Sequence, residues 1–140
     1  MKTKRHGLVA LAALLACAGP AWAQDVKAVS CSFETGLAQI YGKGTFKSEP
    51  ASPIAFDVID IDVAKQTARQ TTATNDGPLR VVRAVNALHF IEVAAEGYLN
   101  VTTLYDNDPL KGAHPAVHSR HFGILGEPVV SQYQGFCKAK

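Results

Sequence analysis

Apolar and polar residues alternate with a period of two along most of this chain, and glycine, proline, asparagine or aspartate interrupts the alternation at short intervals. Residues 26–34 place Val29, Cys31 and Phe33 on one face and Ser30 and Ser32 on the other, the pattern of a half-buried strand. Residues 37–46 are less regular. Gly42 and Gly44 within them predict a bend or bulge, and residues 48–53, with Pro50 and Pro53, predict a loop. In residues 54–63 the apolar phase changes midway, since Ile54, Phe56 and Val58 share one parity and Ile59, Ile61 and Val63 the other. A bulge near Val58 and Ile59 would keep both sets in one core. Residues 65–73 are polar and rich in threonine, which suits an exposed edge or a strand lining a wet space.

Asn75-Asp76-Gly77-Pro78 predicts a turn. Residues 79–85, 88–94 and 98–105 follow as three strands with very short breaks, at Asn86-Ala87 and Glu96-Gly97, so they form consecutive hairpins. Residues 106–115 are the longest loop, and residues 116–125 and 129–137 supply two last strands around Gly126-Glu127-Pro128. With no amphipathic helix and no internal repeat, the pattern predicts an all-β fold, a small antiparallel barrel or sandwich of about eight strands.

The first residues do not belong to that domain. Residues 1–23 have a basic start (Lys2, Lys4, Arg5), an apolar run over residues 8–18 and a small-residue cleavage pattern, Ala21-Trp22-Ala23, the three parts of an export signal. The mature chain is then residues 24–140, a single β domain in the periplasm or outside the cell. A rival cut follows from Leu14-Leu15-Ala16-Cys17, a lipobox-like run that would make the protein a lipoprotein anchored through Cys17. Neither the leader nor any later stretch has the roughly 20 apolar residues of a transmembrane helix.

Removing the leader changes the charge. The whole chain has 14 Lys and Arg against 12 Asp and Glu, and three of the bases lie in the leader, which leaves 11 against 12. That balance, with no block of like charge, argues against a nucleic-acid partner. Either cut also accounts for Cys17, so Cys31 and Cys137 remain as a pair in an oxidising compartment, where a disulfide joins the first strand to the last.

Candidate chemistry gathers near the C-terminus. His114, His118 and His121 are three of the four histidines outside the leader, but on a strand His118 and His121 point to opposite faces, so no metal site and no cofactor are expected. Over residues 116–124 one face carries His118 and Arg120, the other Ser119 and His121, so whichever face turns inward takes a polar group with it. An inward Arg120 would need a carboxylate such as Glu92, or a row of carbonyls. His118, Arg120, His121 and Tyr133 are the candidate binding residues, a polar spot within an apolar pocket, set against a satisfied structural network of the same groups. His114, between Gly112 and Pro115, is placed in a loop. No catalytic residue is assigned: there is no Gly-x-Ser-x-Gly elbow, and Asp60 and Asp62 are expected to face water.

Phe90-Ile91-Glu92-Val93, Thr102-Thr103, Ala116-Val117-His118-Ser119-Arg120-His121 and Ser131-Gln132-Tyr133-x-Gly135-x-Cys137 together resemble a group of small exported, chiefly proteobacterial proteins with no assigned activity. That resemblance implies location and transfers no catalytic residue. A second, architectural resemblance is to the periplasmic inhibitors of c-type lysozyme, small exported β-barrels with a cysteine in the first strand. This sequence lacks their Ser-Gly-x-Gly-x-x-Tyr type segment. The expectation is a non-enzymatic exported binding domain for an envelope partner or small ligand, set against a histidine-based metal protein or enzyme and a passive structural component.

Overall fold

A computed structural model describes residues 26–73, 76–94, 97–124 and 126–140. The leader, with Cys17 and both cleavage patterns, lies outside the described residues, as do Asn75 and Glu96 of the expected turns. The strands are β1 (Val29–Gly42), β2 (Thr45–Pro50), β3 (Ile54–Asp62), β4 (Thr67–Thr71), β5 (Asp76–Arg83), β6 (Ala87–Ala94), β7 (Tyr98–Tyr105), β8 (His114–Ile124) and β9 (Glu127–Ala139). From β3 to β9 each strand pairs antiparallel with the next, and β1 pairs with both β3 and β9. Eight strands thus close into a barrel, which abolishes the sheet edge that an open sandwich would leave. β2 is the ninth and stands outside the ring, paired with the far half of β1.

Four points of comparison with the sequence expectation have local causes. The bend or bulge expected in residues 37–46 is a bend, the two-residue turn of a hairpin: Lys43 and Gly44 both have positive φ, 52° and 82°, the combination that suits a tight turn to the right-handed twist of its strands. Ser48 to Pro50 belong to β2 and not to a loop. The bulge in β3 falls between Ile59 and Asp62, where Asp60 (φ 54°) absorbs one residue, so Val58 and Ile61 both point inward. β4 is no edge, because it sits between β3 and β5; Ala68 is buried and Gln70 half-buried along it.

Cys31 and Cys137 stand directly opposite each other in the β1–β9 register and form the disulfide, 106 residues apart in sequence. Two glycines let this seam close tightly. A Cβ on Gly135 would lie 2.1 Å from the Ser32 carbonyl oxygen, and one on Gly36 would lie 2.5 Å from the Tyr133 ring, which covers the backbone there. The register slips between Ser32 and Thr35, and that bulge moves the inward phase from Val29, Cys31 and Phe33 to Gly36 and the even positions beyond it.

The interior is best described in rungs of residues that face one another across neighbouring strands. Phe56, Cys31, Cys137 and His114 make the first; Leu88, Leu104, Ala116 and Gly135 the second. Phe90, Thr102, His118 and Tyr133 make the third, and Glu92, Asn100, Arg120 and Ser131 the fourth. Apolar side chains fill the first two rungs apart from His114, the third is mixed, and the fourth is wholly polar. Outward positions such as Ser30, Ser32, Arg69, Arg80, Gln132 and Gln134 are exposed. This inside-apolar, outside-polar plan is the reverse of a lipid-facing barrel. Among the described residues no helix is long and apolar enough to cross a membrane.

Candidate functional site

The even-numbered face of β8 turns inward, because it must meet Leu104 and Thr102 of β7 on one side and Tyr133 and Ser131 of β9 on the other. That brings His118, Arg120 and Tyr133 to the lumen and leaves His121 exposed on the outer wall. His114 is also inward, with Nδ1 at 2.8 Å from the Tyr105 carbonyl oxygen, and it is buried, contrary to its expected loop position. The cause is the short Asp108–Ala113 bridge, which ends the loop one residue before His114 and lets β8 begin there. His114 and His118 are two rungs apart, with Ala116 between them, and His121 faces away, so the three imidazoles do not converge. Among the described residues no group of three His, Cys, Asp or Glu side chains is placed to hold a metal ion.

His118 is the pivot between the apolar and polar halves. It is 3% exposed, its ring is flanked by Phe56, Phe33 and Tyr133 at centroid distances of 5.1, 5.7 and 5.9 Å, and Nδ1 meets Thr102 Oγ1 at 2.8 Å. Burial, with the Arg120 charge adding to it, depresses its pKa to about 4, so the ring is neutral at neutral pH. In the unfolded chain it titrates near 6.5, and between the two values the folded state binds fewer protons than the unfolded one. The stability from burying the neutral ring is therefore complete above about pH 6.5 and is lost as pH falls toward 4, by roughly 3 kcal/mol in all. Denaturant melts at pH 7.5 and pH 4 should differ by an amount of that order in the parent and by clearly less in His118→Phe; an equal difference in both would refute the assignment.

Arg120 does not pair with Glu92. Asn100 stands between them in the register, and its Nδ2 donates to Glu92 Oε2 at 2.7 Å while the other carboxylate oxygen leans toward Gly77. Among the described residues no carboxylate lies within ion-pair distance of Arg120; its guanidinium carbon is 6.0 Å from the centre of the Phe122 ring, which stacks on Tyr98. Asn100 Oδ1 is buried and accepts no hydrogen bond.

These groups line a cavity of about 380 Å³ that crosses the lumen from the β3–β4 wall (Phe56, Gln70, Thr72) to the β7–β8 wall (Asn100, His118, Arg120), with residues 53–55 as its lip. Arg120 is the one formal charge in that lining among the described residues. The site offers guanidinium donors, an unsatisfied amide acceptor and an apolar side wall. Gln70, Asn100 and Thr102 were not singled out by sequence, although the inward parity of Tyr98, Asn100, Thr102 and Leu104 does turn polar toward one end. A second concavity, about 480 Å³, lies on the outer surface of the β1–β9 seam. It is ordinary strand exterior, and its one carboxylate, Glu34, already accepts a hydrogen bond from Ser32 at 2.7 Å.

Fold and site together define a small closed antiparallel barrel, packed at one end and open and polar at the other. No protein-family model, no curated protein and no solved structure matches the chain.

Proposed function

We propose that this chain is a non-enzymatic exported binding domain that takes a small organic anion into the open mouth of the barrel. The observation that carries this reading is Arg120: a half-buried cation on the inner wall, with no carboxylate beside it among the described residues, next to an unsatisfied Asn100 acceptor and an apolar flank. A cavity of that size is at the lower end of ligand pockets, and few, convergent polar groups in a partly apolar lining are their usual makeup. The ligand that fits is a carboxylate with a hydroxyl or N–H donor and a compact apolar body. Export is supported by the leader pattern and by the Cys31–Cys137 bridge, which persists in oxidising compartments.

Mandelate has this chemistry; benzyl alcohol and benzylamine lack the anion. Titrated into isotopically labelled protein, mandelate should shift the amides of Asn100, His118 and Arg120 and bind more tightly than either neutral or cationic analogue. Arg120→Gln should keep the fold and weaken mandelate by about 10- to 100-fold, the worth of a charge-assisted hydrogen bond. Equal binding of all three compounds, no shift at those amides, or an unaffected Arg120→Gln variant would each remove the proposal.

A further inference from the structure

β2 lies outside the barrel ring and is exposed at every position. Among the described residues β2 has a partner on one side only, so its other edge presents a row of free backbone groups. Ala51 donates its N–H to the Gly36 carbonyl of β1, which fixes the phase: the odd residues from Thr45 to Ala51 hydrogen-bond to β1, and Phe46, Ser48 and Pro50 turn their backbone groups to the open edge.

We propose that this edge is a self-association surface, on which two copies of the chain pair antiparallel about a twofold axis at Ser48. In an isologous contact of this kind an edge-facing residue must meet an edge-facing residue. With Ser48 opposite the partner's Ser48, each Ser48 N–H reaches the partner's Ser48 carbonyl, and each Phe46 N–H reaches the partner's Pro50 carbonyl. Pro50, which has no N–H, falls at the end of the ladder, where the loss is least.

The side chains select the same register. Lys47 and Glu49 occupy the intervening positions, where side chains approach most closely, so Lys47 meets the partner's Glu49 and Glu49 the partner's Lys47. Neither side chain makes a hydrogen bond or ion pair within its own copy among the described residues. A slip of one step places Lys47 against the partner's Lys47, or Glu49 against the partner's Glu49. On the other face Tyr41 stands opposite Phe46, with ring centres 5.0 Å apart, and Leu37 stands opposite Pro50. Pairing sets Phe46 beside the partner's Pro50, so an apolar row runs across all four strands in each half. That row takes in Leu37, Tyr41 and Phe46, which in one copy are 58%, 38% and 57% exposed. A lysine on an edge strand ordinarily deters pairing; here one register turns it into an attraction.

The test is charge exchange on the mature chain, read by sedimentation equilibrium from micromolar to millimolar protein. The parent should show a monomer–dimer equilibrium. Lys47→Glu and Glu49→Lys should each weaken it at least about tenfold, the equivalent of 1.4 kcal/mol. The double exchange, Lys47→Glu with Glu49→Lys, should restore it to near the parent value. Because both positions are exposed, unchanged melting curves will show that the variants fold. A parent that is monomeric throughout overturns the proposal, as does association that Lys47→Glu leaves intact. A double exchange that fails to restore pairing also overturns it, whereas the monomeric parent is the result expected if the edge serves an extended segment of a different protein.

Discussion

Replacing Cys31 and Cys137 together with alanine is expected to lower the free energy of unfolding by roughly 4 kcal/mol. The bridge closes a loop of 106 residues, and in the chain-entropy description a loop of about 100 residues is worth on the order of 4 to 5 kcal/mol. Single domains of this size have only about 5 to 15 kcal/mol in total, so the variant should sit near the edge of folding at body temperature. Both cysteines are buried, at 2% and 0% exposure, so a reductant reaches the bridge only when the seam opens. The measurement is a denaturant titration of the parent, oxidised and reduced, beside the double-alanine variant. A variant within 1 kcal/mol of the oxidised parent would show that the β1–β9 ladder holds the barrel shut without the bridge.

Phe33→Ala is expected to have an effect of similar size. Phe33 is fully buried, its ring lies 5.6 Å from Phe56 and 5.7 Å from His118, and its backbone is held against Gly135. A Phe→Ala change in a core costs about 3 to 5 kcal/mol, because the surroundings collapse only partly into the space left. Phe33→Leu keeps more of the volume and should cost clearly less. The pair also tests the mouth, since thinning the aromatic cage admits water to His118 and moves its pKa back up, shrinking the acid loss of stability described above. A Phe33→Ala variant as stable as the parent would mean that the ring's packing against Phe56 and His118 does not hold the core together.

How much of this was legible in the sequence depended on burial. Alternation marked strands where one face is buried, as at Val29, Cys31 and Phe33, and the phase change around Ile59 announced a bulge that the fold places at Asp60. β2 gave no such signal, because a strand exposed on both faces has nothing to alternate for. Its turn was legible only as a bend or bulge at Gly42 and Gly44, since Lys43 is not a residue that advertises positive φ. At β8 both faces carry polar groups, so parity alone could not choose between His118 and His121. The choice was made by neighbours remote in sequence, Thr102 and Tyr133, which face His118 across the ladders. Glu92, offered as one possible partner for an inward Arg120, is not that partner for the same reason: pairing order put Asn100 between them, and Glu92 was taken by the amide.

The two ends of the barrel differ also in where the chain enters and leaves. Val29 pairs with Ala139, the Lys140 amide donates to the Ala28 carbonyl, and the Lys140 ammonium pairs with Asp57, all at the packed end. A tether on either terminus therefore grips the floor. The cup opens at the other end, with the β1–β2 turn as part of its rim. Immobilisation through either terminus leaves that cup unobstructed.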